Sequence, residues 1–190
     1  MRSRALLALA VVGCGCAASS TSPSTSYHPT CQEDERRVYA AWLGPLEAGR
    51  ETVVLKETTS APPRFCYPTE DSFRNWTWNG RAIRVHRSTL ADFKWANRTR
   101  VAVQIDSAVP HEYICAEEAR RLLGGEDRWK EFHQKHPHSH GFYTLSRVGF
   151  SRDGTEALLY VDEFDGPIDD GPRFLLFWKF DGHWELVAAN

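Results

Sequence analysis

The stretch from residue 141 to the C-terminus constrains the fold most. Two Asp-Gly pairs, Asp153-Gly154 and Asp181-Gly182, each sit between runs of aliphatic and aromatic residues. A two-residue type I′ turn needs positive φ at both central positions, which Asp followed by Gly adopts readily, so Asp181-Gly182 predicts a tight hairpin. The runs on either side predict strands over 141–150, 155–161, 174–180 and 183–187. The 155–161 run is apolar on both faces and predicts a central strand. Residues 162–171 carry Asp162, Glu163, Asp165, Asp169 and Asp170 and read as an acidic loop whose charges keep the sheet edge from pairing with other chains. The expectation is an antiparallel meander of about four strands.

Upstream, helical spacing takes over. Val38, Ala41 and Trp42 fall at i, i+3, i+4 and predict a helix over 33–43, stopped by Gly44-Pro45. Ser88 is placed to cap a helix over 88–96, with Leu90 and Phe93 inward. Helices are also expected over 116–123 and 126–136, the second stopped by Pro137. Val53-Val54-Leu55 predicts a strand within 51–59, and residues 100–105 alternate like another. Asn75-Trp76-Thr77-Trp78-Asn79-Gly80 reads as a short strand entering a turn. The fold class is therefore α+β, with short helices packed on an antiparallel sheet. With 42% hydrophobic and 12% aromatic residues, a sizeable core can form.

The N-terminus reads as an address. Arg2 and Arg4 precede the apolar run 5–12, and Gly13 stands before Cys14. That is a secretory-signal layout, far shorter than the roughly 20 apolar residues a membrane-spanning helix needs. The expected organisation is a signal over 1–13, a Ser/Thr-rich tether over 14–30 and one α+β domain over 31–190. An ordinary cleaved signal on a secreted protein is the alternative. The net charge of −2 leaves no electrostatic footprint for nucleic acid.

Export permits disulfides. Beyond Cys14 stand Cys16, Cys31, Cys66 and Cys115; four cysteines allow three pairings, and the sequence does not choose among them. If the 51–59 strand runs back along the first helix, Cys31 and Cys66 come close and are the favoured pair. Cys115 is then expected to be a buried free thiol.

Val11-Val12-Gly13-Cys14 resembles the lipobox of bacterial lipoproteins, with Cys16 as the rival site. The resemblance implies cleavage before Cys14, a lipid on that cysteine, and membrane attachment through the lipid in the bacterial envelope, facing periplasm or exterior. Further along, Leu145-Ser146-Arg147-Val148-Gly149-Phe150, Ala157-Leu158-Leu159-Tyr160-Val161 and Gly182-His183-Trp184 resemble a loosely defined family of exported bacterial proteins. Leu90-Ala91-Asp92-Phe93 with Asn97, and Trp129, Phe132 and Pro137, fit the same layout. Members often carry a Cys-Gly pair twice between the last two long strands, where this chain has Asp165-Gly166 and Asp170-Gly171. The resemblance implies structural motifs and no particular activity. The helix-then-meander order is also similar to cystatin-like and NTF2-like cones, an analogy of fold alone.

The chemistry-bearing candidates are few. His133, His136, His138 and His140 fall in one short stretch, and imidazoles suit zinc, copper or nickel. The His-Glu-x-x-His frame is missing, so structural or solvated histidines are the plainer reading, and no cofactor is expected unless zinc binds there. Trp76 and Trp78 are candidates for a sugar-stacking platform, against the plainer reading of core aromatics. The sequence holds no Gly-x-Ser-x-Gly elbow, phosphate loop or dinucleotide fingerprint. Three functions stand: a lipid-anchored, non-catalytic envelope protein with a binding or structural role and an unknown protein or glycan partner; a metal-binding protein or metal-dependent hydrolase using the 133–140 histidines; and a small-ligand or glycan binder with a pocket between sheet and helices.

Overall fold

The structure is a computed structural model and describes residues 29–47, 52–59, 61–62, 67–105, 110–139, 141–165 and 169–189. Helix α1 spans Pro29–Leu43 and continues into a 3-10 turn over Gly44–Glu47. It starts inside the segment read as tether, because proline is well suited to a first helical position that needs no N–H partner. Strand β1 is Val53–Lys56, and a hairpin of β2 (Thr77–Trp78) and β3 (Arg81–Ala82) follows a 3-10 turn. Helix α2 is Arg87–Ala96, β4 is His111–Ile114, α3 is Ala116–Leu122 and α4 is Glu126–Lys135. The C-terminal part contributes β5 (Phe142–Leu145), β6 (Gly149–Phe150), β7 (Glu156–Phe164), β8 (Asp169–Phe180) and β9 (His183–Ala189).

The fold is α+β, with a mostly antiparallel seven-stranded sheet in the order β4-β1-β5-β7-β8-β9 and β6 added along β7. The meander is present in β7, β8 and β9, and β5 extends it antiparallel to β7. β1 pairs in parallel with both β4 and β5, so the sheet is mixed at that end. Parallel strands need crossover connections: the segment with α2 links β1 to β4, and α3 with α4 links β4 to β5 on the other side of β1. Asp181 and Gly182 have φ of 47° and 84°, the type I′ turn expected there. Asn79 and Gly80 build a second such turn, with φ of 50° and 73°.

Several predicted elements change. β7 runs to Phe164 and β8 begins at Asp169, with Phe164 opposite Asp169, so most of the acidic segment belongs to the hairpin. Residues 100–105 form one isolated bridge, Thr58 with Ala102, because Val103 N–H and Thr59 N–H each make a single bond across to the other segment. Helix α2 starts at Arg87, not at a Ser88 cap; the Ser88 hydroxyl accepts from Arg152 N–H at 3.3 Å instead.

The predicted strand 141–150 is broken at 146–148, and that break organises the molecule. The backbone there turns to side chains. Val148 N–H donates to Glu35 at 3.0 Å, Tyr39 Oη donates to Ser146 C=O at 2.8 Å, and the Asn97 side chain bonds both Arg147 N–H and C=O, at 2.9 and 3.0 Å. The Ser146 hydroxyl completes the ladder by accepting from Tyr160 N–H at 2.9 Å. α2 lies directly on the far side of the break. A Cβ on Gly149 would sit 2.4 Å from Phe93 Cα, so only glycine admits the helix this close. Asp92 accepts from Phe150 N–H at 2.8 Å, and burial pushes its carboxyl above the usual range. Buried Glu156 accepts from Thr89 Oγ1 at 2.7 Å and His86 N–H at 2.8 Å, fixing the start of the same helix.

The alternation of side chains along the strands divides the core. One face, with Leu55, Tyr143, Leu145, Leu159 and Phe177, packs against Val38, Tyr39, Trp42 and Leu43 of α1. The other face is split. Leu158, Tyr160, Phe174 and Leu176 pack against α2 and the β2–β3 hairpin, while Val54 and Phe142 pack against α3 and α4.

Candidate functional site

The gap between those two clusters on the second face holds a cavity of about 290 Å3. Its floor follows from strand register. Val54 lies opposite Phe142, and Phe142 opposite Phe164, which makes an apolar row across β1, β5 and β7. Two residues further along β1 and β5, Lys56 and Thr144 reach the next row, and Thr144 lies opposite Asp162. A polar row therefore runs beside an apolar one in the middle of a sheet. Ala119, Arg120 and Leu123 from the α3 side form one wall, and Arg100 approaches from the segment after α2.

α3 is held in place by its own sequence. Cys115 caps it, its Sγ accepting from Glu118 N–H at 3.4 Å; Glu117 and Glu118 occupy the first turn and Arg120 and Arg121 the last. That charge order suits the helix dipole and leaves Arg120 at the cavity.

The electrostatics are those of a basic pocket. The Lys56 ammonium is pushed below its ordinary 10.5, first by burial and then by Arg100 and Arg120, with Glu57 opposing. Asp162 is the carboxylate among the described lining residues, and it accepts from Tyr160 Oη at 3.4 Å. Three cations and one carboxylate thus face a space whose floor includes the Phe142–Phe164 stack, centroids 4.9 Å apart. Ligand pockets combine an apolar lining with a few convergent polar groups in this way, and the volume suits a small ligand.

A second cavity of about 360 Å3 lies on the α1 side, lined by Glu35, Arg36, Tyr39, Gln104 and Arg147 among others. Its charges are engaged structurally. Glu35 accepts from Arg147, Tyr39 and Val148, and Arg36 bonds Gln104. These contacts clamp α1 to the break in the sheet.

The residues singled out from sequence fall elsewhere. His133 and His138 are exposed, while His136 is 7% exposed, and His140 lies outside the described residues. His136 Nδ1 is 2.7 Å from Glu112 Oε2, and its Nε2 is buried with no hydrogen-bond partner. Among the described residues, no three of His, Cys, Asp and Glu gather in a metal-holding group. Trp76 is buried against Phe73, with centroids 4.5 Å apart, so it offers no open stacking face. Trp78 is half-buried and meets Trp178 and Phe180 at 5.3 and 5.8 Å. Both tryptophans pack on the one core cluster that holds Phe73, Ile83 and Phe93. Cys31 lies within α1 rather than before it; its side chain, together with Cys66, Cys14 and Cys16, lies outside the described residues. Cys115 is a free thiol and is exposed, because it caps α3 at the surface instead of packing into the core.

The basic cavity was missed because its members are dispersed at positions 56, 100, 120 and 162. One local signal existed: Lys56 continues the inward phase of Val54 and so puts a charge on the face where a core residue belongs. Compared with known proteins, the chain matches no family model, no curated protein and no solved structure. Among the described residues, no helix is long and apolar enough to cross a membrane.

Proposed function

We propose that this chain is a bacterial envelope protein, lipid-anchored through Cys14, whose α+β domain works by binding rather than by turnover. The anchoring half of the reading is carried by Val11-Val12-Gly13-Cys14, which follows a basic and then an apolar start and precedes a Ser/Thr-rich stretch. The binding half is supported by the cavity between the sheet and α3. Its described lining offers charges and aromatic surface but no histidine or cysteine, so no Ser–His or Cys–His pair is assembled there.

Metabolic labelling with an alkyne-tagged palmitate in a bacterial host tests the anchor. Wild type takes the label and Cys14→Ala does not. A label that persists in Cys14→Ala and disappears in Cys16→Ala moves the lipid to Cys16; a label absent from wild type removes the anchor.

A metal site is the second reading, and one observation favours it. His136 has its Nδ1 on a carboxylate and its Nε2 buried without a partner, the orientation that carboxylate–histidine pairs give to a metal ligand. Metal analysis of the full chain purified without a His tag decides. Near-stoichiometric zinc or copper, lost in the His133→Ala/His136→Ala double variant, supports it, and a metal-free wild type removes it.

A further inference from the structure

Building on the binding reading above, we propose that the cavity between α3 and strands β1, β5 and β7 takes a small organic carboxylate with an apolar tail. The cations come from three separate elements. Lys56 belongs to β1, Arg100 to the segment after α2, and Arg120 to the end of α3. The Lys56 ammonium is held below its ordinary 10.5 first by burial and then by Arg100 and Arg120. An anion in the cavity offsets the repulsion from the two arginines. A carboxylate suits the arrangement because a guanidinium fork receives its two oxygens together.

The apolar half of the ligand follows from the rest of the lining. Phe164, half-buried on the floor and backed by the fully buried Phe142, and Leu123, 54% exposed at the edge, are the apolar surface a ligand can meet. A bare inorganic anion leaves this surface uncovered, whereas a tail of a few carbons or one ring covers it. Asp162 sets the orientation. It lies on β7, across Thr144 from Lys56, so it turns a carboxylate away from the β7 side and towards Lys56 and the arginines. A hydroxyl or amine on the ligand is accepted at the Asp162 end.

The test is calorimetric titration of the full chain in mild detergent, with 3-phenylpropionate, isovalerate and acetate as probes and 3-phenylpropionamide as the uncharged counterpart. Saturable one-site binding of 3-phenylpropionate is expected, with acetate and the amide each weaker by about tenfold or more. Lys56→Met and Arg120→Gln are each expected to weaken binding about tenfold, while Arg128→Gln, on exposed α4, leaves it unchanged. Circular dichroism checks folding; should Lys56→Met unfold, Arg120→Gln, at a solvent-exposed position that still lines the cavity, carries the test. Equal binding of the amide, or no saturable binding of any carboxylate, overturns the proposal. Inorganic phosphate competing as well as 3-phenylpropionate reduces the cavity to a bare-anion site and overturns the apolar part. Binding confined to nanodiscs containing phosphatidylglycerol assigns the cations to a membrane surface and overturns it as well. A chain labelled at Cys14 that binds no carboxylate keeps its anchor and loses only this ligand.

Discussion

Arg147 Nη2 lies 3.3 Å from Glu35 Oε2, and the two side chains are 8% and 5% exposed, so a helix near one end of the chain is ion-paired inside the protein to a loop 112 residues away. The pair is asymmetric in its consequences. Removing one charge strands the other out of water, whereas removing both strands no charge and costs the neutral Val148 N–H its acceptor, while the Tyr39 hydroxyl keeps Ser146 C=O. Glu35→Gln is therefore expected to cost about 3–5 kcal/mol, and Glu35→Met/Arg147→Met less than Glu35→Gln alone. Urea unfolding of the three proteins measures the difference; a double variant weaker than the single one contradicts the account.

Gly149→Ala is expected to destabilise by about 1–3 kcal/mol, through collision with the α2 backbone at Phe93. Because the contact is with Cα and N as well as Cβ, trimming the Phe93 side chain does not relieve it. Thermal denaturation of Gly149→Ala and of Gly149→Ala/Phe93→Ala checks both statements, and a rescued double variant rejects the second.

Two carboxyls pull in opposite directions in acid. Asp153 accepts from the Ser151 and Thr155 hydroxyls and from Thr155 N–H, which lower its pKa from 3.8 to about 2. Its folded value lies below its unfolded one, so the stability it contributes is present above 3.8 and is lost as the pH falls towards about 2. Asp92 is shifted upwards by burial, so its contribution is largest below 3.8 and declines as the pH rises through its folded value. Carbon-detected NMR titration of the two side chains reads both directions. An Asp153 midpoint at or above 3.8 contradicts the turn geometry.

Cys115 is expected to react with iodoacetamide in the native protein, since it is exposed at the start of α3. Cys115→Ser keeps an acceptor for Glu118 N–H and leaves stability within a few tenths of a kcal/mol, whereas Cys115→Ala removes the cap at about 0.5–2 kcal/mol. Mass spectrometry after native labelling and denaturant melts of the two variants test this.

The C-terminal hairpin was legible in sequence because its information is local. Asp181-Gly182 prescribes its own turn, and the aromatic runs beside it need only each other. The break at 146–148 was not legible, because its backbone bonds go to Glu35, Tyr39 and Asn97, which are remote in sequence. For the same reason Lys56, Arg100, Arg120 and Asp162 read separately as surface charges. The register of β1, β5 and β7 puts Lys56 and Asp162 in one row, and α3 and the segment after α2 bring Arg120 and Arg100 to the same cavity. β4 escaped notice because His111-Glu112-Tyr113 has the polarity of a loop, and edge strands tolerate it. The 90–97 and 145–150 stretches meet in the fold. Asp92, Phe93 and Asn97 of α2 touch Phe150, Gly149 and Arg147 in turn.

The interrupted strand also sets an order of events. Both α1 and α2 are held by backbone groups of residues 146–150, so a chain that emerges N-terminus first makes these helices long before their attachment point exists. Contacts at such separation delay folding, since a long loop must close before any of them forms. Helices α1 and α2 therefore gain these contacts only once residues 146–150 have been added to the chain.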